Sequence, residues 1–369
     1  MDHVPEWKKN GKPRVLIAPL DWGLGHATRC IPLVREFEKQ GADTWIGASG
    51  PQQTLLKMEF SHLPFLEIPN YDISYARSGK SLPWKMLMQL SSIRGSIKKE
   101  HRWLKSNAEK YGFDAVISDN RFGLYHQSIP CVFLTHQLAI RSNRANWIDN
   151  LLRKKNYKYI SHYRECWVPD NEGTNNLAGS LSHPLVKPST PLKYIGWLSR
   201  FEQKKINDPT GPLLIVLSGP EPQRTILEEK ILKEIAHYPA EAIIVRGLPG
   251  NRSMIPSTNM IRVYNHVAAE EMKNFFEKAN YVISRSGYST IMDAAVLNKK
   301  CIFIPTPGQT EQNYLGQSLM EKGIAICIAQ ENFSLASALS AVDNFPWRPF
   351  PGNDSRLEKT VKEFLASLV

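Results

Sequence analysis

The residues best suited to chemistry fall in four short loops. The first, Gly23-Leu24-Gly25-His26-Ala27-Thr28, follows the apolar run Val15-Leu16-Ile17-Ala18. Its glycines let a ligand or a second chain segment come close to the backbone. A neutral imidazole among them, His26, can take the proton from an attacking hydroxyl. The loop lacks the third glycine of a dinucleotide fingerprint. Gly47-Ala48-Ser49 also stands where an acidic ribose ligand would close the second strand, so no nicotinamide cofactor is expected.

The second loop, Ser284-Arg285-Ser286-Gly287-Tyr288-Ser289-Thr290, leads into a helix expected near Ile291. Small side chains and free N–H groups at a helix N-terminus suit a diphosphate. Asp293, just inside that helix, can accept both hydroxyls of a ribose. The third loop, Pro305 to Gln312, carries Glu311 beside Gln312, an acceptor and donor pair suited to sugar hydroxyls. The fourth contains Ser218, Gly219, Gln223 and Arg224, where Arg224 can clamp a phosphate.

These loops need strand ends to hold them. Val15 to Ala18, Thr44 to Gly47, Ala115 to Ser118, Val132 to Thr135 and Glu165 to Val168 are near-continuous apolar runs separated by helical patterns. The rhythm restarts after a polar, Pro-bearing seam with Leu213 to Leu217, Ala242 to Val245, Tyr281 to Ser284 and Cys301 to Ile304. Such strands imply parallel sheets covered on both faces. The chain reads as two doubly wound α/β domains, 1–197 and 198–350, followed by an amphipathic helix within 351–369. At 369 residues it has the length for two domains of about 100–200 residues each.

Gly25-His26, then Ser284-Arg285-Ser286-Gly287 with Asp293, then Glu311-Gln312 in a Pro-rich loop resemble the GT-B nucleotide-sugar glycosyltransferases. The likeness is to the family of the bacterial lipid-intermediate N-acetylglucosaminyltransferase. It implies two Rossmann-like domains facing across a cleft, the second holding the nucleotide sugar and the first the acceptor. On the donor side it implies Ser286 and Gly287 at the diphosphate and Asp293 at the ribose, beside the phosphate candidates Ser218, Gly219, Arg224 and Arg285 read from the loops. Glu311 and Gln312 would then meet the sugar, and the backbone at His266 and Val267 would read the base. On the acceptor side it implies the loop His136-Gln137, to which the residue reading adds Gly23, Gly25 and Asp119 as acceptor contacts and His26 as the catalytic base. His136-Gln137 departs from the family's His-Glu pair, and Asp293 stands in place of a glutamate. The last helix would pack back on the first domain.

No D-x-D pair occurs. The leaving diphosphate must then be met by helix N-termini and by Arg224 or Arg285, with no metal. The net charge of +11 is uneven: residues 1–190 carry 26 Lys and Arg against 17 Asp and Glu. Basic stretches at 71–110, beside Trp84, Met86, Leu87, Met88 and Leu90, and at 141–164 suit an anionic leaflet or a phosphate-bearing acceptor. Aromatic residues are not interleaved as nucleic-acid binding would require. Five cysteines without a C-x-x-C pair read as small core residues. With no apolar run near about 18 residues and no signal-peptide pattern at the start, the expected place is the cytoplasm, peripheral to the membrane's inner face. The leading function is transfer of a hexose or N-acetylhexosamine from a UDP-type sugar to a hydroxyl on a lipid-linked or anionic acceptor. A nucleotide-sugar 2-epimerase and a non-catalytic nucleotide-sugar-binding module share the layout. Release of nucleoside diphosphate only with acceptor marks a transferase, and acceptor-free isomerisation marks an epimerase.

Overall fold

The computed structural model describes residues 11–71, 82–142, 146–202 and 210–368, with backbone alone for 82–92. Trp84, Met86, Leu87, Met88 and Leu90 therefore lie outside the described side chains, and part of the seam lies outside the described residues.

The first sheet is built from β1 (Arg14–Pro19), β2 (Asp43–Gly47), β3 (Phe65–Leu66), β4 (Ala115–Asp119), β5 (Cys131–Leu134), β6 (Glu165–Val168) and β7 (Leu192–Tyr194). All pairings are parallel, in the order β3-β2-β1-β4-β5-β6-β7. Helices α1 (Leu24–Lys39), α2 (Gly50–Glu59), α3 (Leu82–Tyr111) and α4 (Asn146–Ile160) connect them. The second sheet has β8 (Leu213–Val216), β9 (Ala242–Val245), β10 (Ile261–Tyr264), β11 (Val282–Ser284), β12 (Cys301–Phe303) and β13 (Ile326–Cys327), also parallel, in the order β10-β9-β8-β11-β12-β13. Its helices are α5 (Gln223–Ile235), α6 (Ala269–Lys278), α7 (Tyr288–Val296), α8 (Thr310–Glu321) and α9 (Leu335–Ser340). α7 begins three residues before the expected Ile291, with Gly287 preceding it. Central strands such as Val15 to Ala18 are wholly buried, as strands covered by helices on both faces must be.

In each sheet the winding reverses beside the first strand, between β1 and β4 and between β8 and β11. The carboxyl ends at such a switch point leave a crevice for ligands. The four loops expected to carry chemistry leave β1, β8 and β11 at these switch points, and β12 beside them.

The final helix, α10 (Leu357–Ala366), returns to the first sheet. Phe364 packs edge-on against Phe37 and Trp167, with ring centroids at 6.4 and 5.4 Å. The two stretches of chain joining the sheets run side by side. Trp197 N–H donates to Asn353 Oδ1 at 2.9 Å, and Arg356 N–H donates to the Ile195 carbonyl at 3.1 Å. Gly196, at φ +77°, is required there, because a Cβ would lie 2.7 Å from the Asp354 carbonyl oxygen. All five cysteines are free, and four are buried.

Candidate active site between the two sheets

His26 lies in the first turn of α1, and Asp119 closes β4, so the switch point brings together residues 93 apart in sequence. Asp119 Oδ2 is 3.0 Å from His26 Nδ1. Arg29, one turn further along α1, donates Nε to the same oxygen at 2.9 Å and Nη2 to Asp119 Oδ1. Arg29 Nη2 is also 2.8 Å from His26 Nδ1. A carboxylate only accepts and a guanidinium only donates, so the two compete for that nitrogen. When Nδ1–H donates to Asp119, Nε2 is left as the basic atom.

Both Asp119 and Arg29 are buried. Burial alone would push the Asp119 carboxyl up, but Arg29 and His26 hold it down to about 2. Burial, aided by Arg29, pushes the His26 pKa below its ordinary value against the pull of Asp119. The imidazole is therefore neutral near pH 7, as a proton acceptor must be.

The group extends across to the second sheet. Arg29 Nη1 donates to His136 Nδ1 at 3.1 Å, which leaves His136 Nε2–H to donate to Glu311 Oε1 at 2.7 Å. Gln137 Nε2 donates to Glu311 Oε2. Tyr288 stacks on His136 at 4.1 Å, and its hydroxyl donates to the Pro169 carbonyl at 2.8 Å. Ser289, in the first turn of α7, donates to the Gly25 carbonyl at 2.6 Å. The approach at Gly25 is close: a Cβ there would sit 3.3 Å from Ser289 Oγ, so Ser289 would have to shift. Gly23, at φ +92°, precedes α1, and its carbonyl accepts from Gln52 Nε2 at 2.7 Å.

On the second sheet the expected residues divide. Ser218 and Gly219 leave β8, with Gly219 at φ +104°. Arg285 Nε and Thr306 Oγ1 are buried without partners among the described residues, and both flank Gly219. The backbone of Gly219 therefore lies beside an unmatched buried donor. The rest of the Arg285 guanidinium donates to the Ile304, Pro305 and Gln223 carbonyls at 3.1, 3.3 and 2.7 Å. Arg224, expected to clamp a phosphate, is instead turned inward. It donates to Glu221 at 2.6 Å and Glu228 at 3.3 Å, because a buried guanidinium needs carboxylates of its own.

Asp293, expected at a ribose, accepts from Ser199 Oγ at 2.8 Å and Arg200 Nε at 3.0 Å. Its burial pushes the carboxyl up despite Arg200. Burial, with Arg200 adding to it, lowers His266 to about 4, and Val267 beside it is buried. Glu311 and Gln312, expected to act side by side, point apart. Gln312 faces its own loop, accepting from Thr306 N–H at 2.8 Å, while Ser286 Oγ donates to the Gln312 carbonyl at 2.8 Å. Glu311 faces the first sheet.

Sequence reasoning missed Arg29, Ser199, Arg200 and Tyr288. It also missed the buried group behind the β4 loop. There Arg121 donates to Glu100 and to the Pro19 carbonyl, each at 2.6 Å, and Tyr71 donates to Glu100 at 2.5 Å. These bonds pin the ends of β1 and β4 that carry His26 and Asp119. Among the described residues, no group of three or more His, Cys, Asp or Glu is placed to hold a metal ion. No described helix is long and apolar enough to cross a membrane.

The fold is shared with known glycosyltransferases of low sequence identity. The glycotransferase of kitacinnamycin aligns with a TM-score of 0.61 at 13% identity, covering 97% of this chain and 96% of that one. The glycosyltransferase SnogD from Streptomyces nogalater gives 0.57 at 13%, covering 97% and 100%. This is the two-domain GT-B fold. Residues 254–367 match the model of the glycosyltransferase family 28 C-terminal domain. The UDP-N-acetylglucosamine--N-acetylmuramyl-(pentapeptide) pyrophosphoryl-undecaprenol N-acetylglucosamine transferase of Buchnera aphidicola subsp. Schizaphis graminum is 31% identical over 329 residues, which is 84% of this chain and 83% of that protein. The transferase of the same name from Haemophilus ducreyi is 22% identical, covering 86% and 85%. At 31% identity to such a transferase along most of both chains, this protein belongs to glycosyltransferase family 28 and is a glycosyltransferase.

Proposed function

We propose that the protein transfers an N-acetylhexosamine or hexose from a UDP-sugar to a hydroxyl of a lipid-linked acceptor, without a metal ion. The observation that carries this reading is the placement of His26. It is a neutral imidazole oriented by a buried carboxylate, at the switch point of one sheet, and its neighbour Gly25 touches the first turn of α7 from the other. In this reading Nε2 takes the acceptor's proton as its oxygen bonds to the anomeric carbon. The leaving diphosphate is met by the N-terminus of α7, the Gly219 loop and the unmatched Arg285 Nε–H. Ser199 and Arg200 hold Asp293, whose remaining lone pairs receive the ribose hydroxyls. The names of the relatives, which specify a UDP-linked donor and an undecaprenol-linked acceptor, support both substrate classes.

One exposed surface suits a lipid-borne acceptor. Trp147 and Leu151, 67% and 60% accessible, lie on one stripe of α4 with Lys154 and Lys158. Leu185 and Val186 are exposed beside that helix, tied by the Tyr157 hydroxyl to the Val186 carbonyl at 2.5 Å. Apolar side chains among lysines fit the boundary of an anionic leaflet. The defining experiment incubates the protein with UDP-sugars, with and without undecaprenyl-diphosphate acceptors. Acceptor-dependent release of UDP is expected, and isomerisation of the donor without acceptor would overturn the reading.

A further inference from the structure

The start of α8 meets the first domain through several polar contacts. Thr310 Oγ1 donates to the Arg141 carbonyl at 2.6 Å, and the Tyr314 hydroxyl accepts from Ser180 N–H at 3.0 Å. Glu311 stands between them. Its carboxylate takes one hydrogen bond from His136 and one from Gln137, both on the loop after β5. Behind His136 lies Arg29, which also bonds Asp119 and approaches His26. A single carboxylate of the second domain thus ends a row of ionic hydrogen bonds that starts at the His26 and Asp119 pair. The contact is polar, and the Glu311 side chain keeps 30% of its surface accessible. With part of its surface already in water, the carboxylate regains its full hydration when the domains part. His136, Arg29 and His26 are the groups facing it that hold its pKa below the ordinary value against burial.

We propose that Glu311 is a closure bridge, a positioning residue whose bonds to His136 and Gln137 hold the domains at the separation where His26 faces the donor. The proposal deepens the transferase reading and rests on it for the turnover consequence, though the bridge itself can be measured without substrate.

The test is an exchange of partners. Gln137→Glu sets two carboxylates against each other and should open the molecule, seen as a larger radius of gyration by small-angle scattering without substrate. The double variant Gln137→Glu with Glu311→Gln restores one carboxylate and one amide, and His136 Nε2–H can donate to either. It should recover the compact scattering profile. In turnover, Gln137→Glu should fall by about 30-fold or more, and the exchange should return to within about tenfold of wild type. Glu311→Gln alone should lower kcat about tenfold with donor KM within about threefold of wild type.

Identical scattering from all the variants, or no rescue by the exchange, would overturn the bridge. A raised donor KM at unchanged kcat in Glu311→Gln would overturn it too, by making Glu311 a sugar ligand. Opening and rescue in scattering, with wild type inactive on every UDP-sugar, would uphold the bridge and sink the proposed UDP-sugar reaction instead.

Discussion

Asp119→Asn keeps the shape of the side chain at the floor of the site and removes its charge. Arg29, 2% accessible, is then left without the carboxylate that neutralises it. Breaking a buried ion pair from one side costs about 3–5 kcal/mol. The pH dependence gives a second handle. The Asp119 carboxyl is held at about 2 rather than 3.8, a difference that contributes about 2–3 kcal/mol to folding. Because the folded carboxyl is the more acidic, that contribution is fully present above about pH 4 and is lost as pH falls toward 2. Urea unfolding followed by tryptophan fluorescence is a suitable assay, since only Trp347 falls after residue 197 and the signal reports mainly on the first domain. The midpoint of Asp119→Asn should drop sharply at pH 7. The gap to wild type should narrow by about 1 kcal/mol between pH 7 and pH 3. A cost below about 1 kcal/mol at pH 7, or a gap that stays constant with pH, would refute the reasoning.

His26→Ala should lower turnover by about 10²–10⁴-fold with donor affinity near normal, read by steady-state kinetics beside calorimetric UDP binding. In wild type the acid limb of kcat/KM should fall below pH 6.5, since burial and Arg29 lower the imidazole pKa, and a limb above that value would contradict the assignment. Turnover should survive exhaustive chelation; loss restored by added magnesium or manganese would overturn the metal-free reading. Trp147→Ala with Leu151→Ala should weaken co-sedimentation with anionic vesicles while leaving turnover on a water-soluble acceptor near normal, and unchanged sedimentation would remove α4 from the docking surface.

What the sequence revealed of the fold follows from burial. The central strands, covered on both faces, are continuous apolar runs and stand out. β3, β7, β10 and β13 escaped notice, and all four lie at the sheet edges. Their residues are short runs only partly covered, so they carry no distinctive pattern. The loops at the switch points were legible because glycine and small polar residues interrupt apolar runs. Arg29 was not, although one signal existed: a charged residue three places after His26, inside the buried stripe of Ala27, Cys30, Ile31 and Val34. Its partner is 90 residues away, beyond the reach of local pattern. The divergence of Glu311 and Gln312 depended on where α8 starts, since neighbours at a helix start project about a quarter turn apart.

The paired crossings between the domains set the mechanics of the molecule. Because Trp197 is tied to Asn353 and Arg356 to Ile195, the two crossings behave as the leaves of one door hinge rather than as separate tethers. Tied in this way, the crossings favour a swing about that seam over sliding or free twisting. A swing about it would make and break Ser289 with Gly25 and Glu311 with His136 together. α10, clasped against α1 beyond the second crossing, anchors one leaf of the hinge. Shortening the chain before Leu357 would therefore loosen the swing itself, far from any residue that touches a sugar.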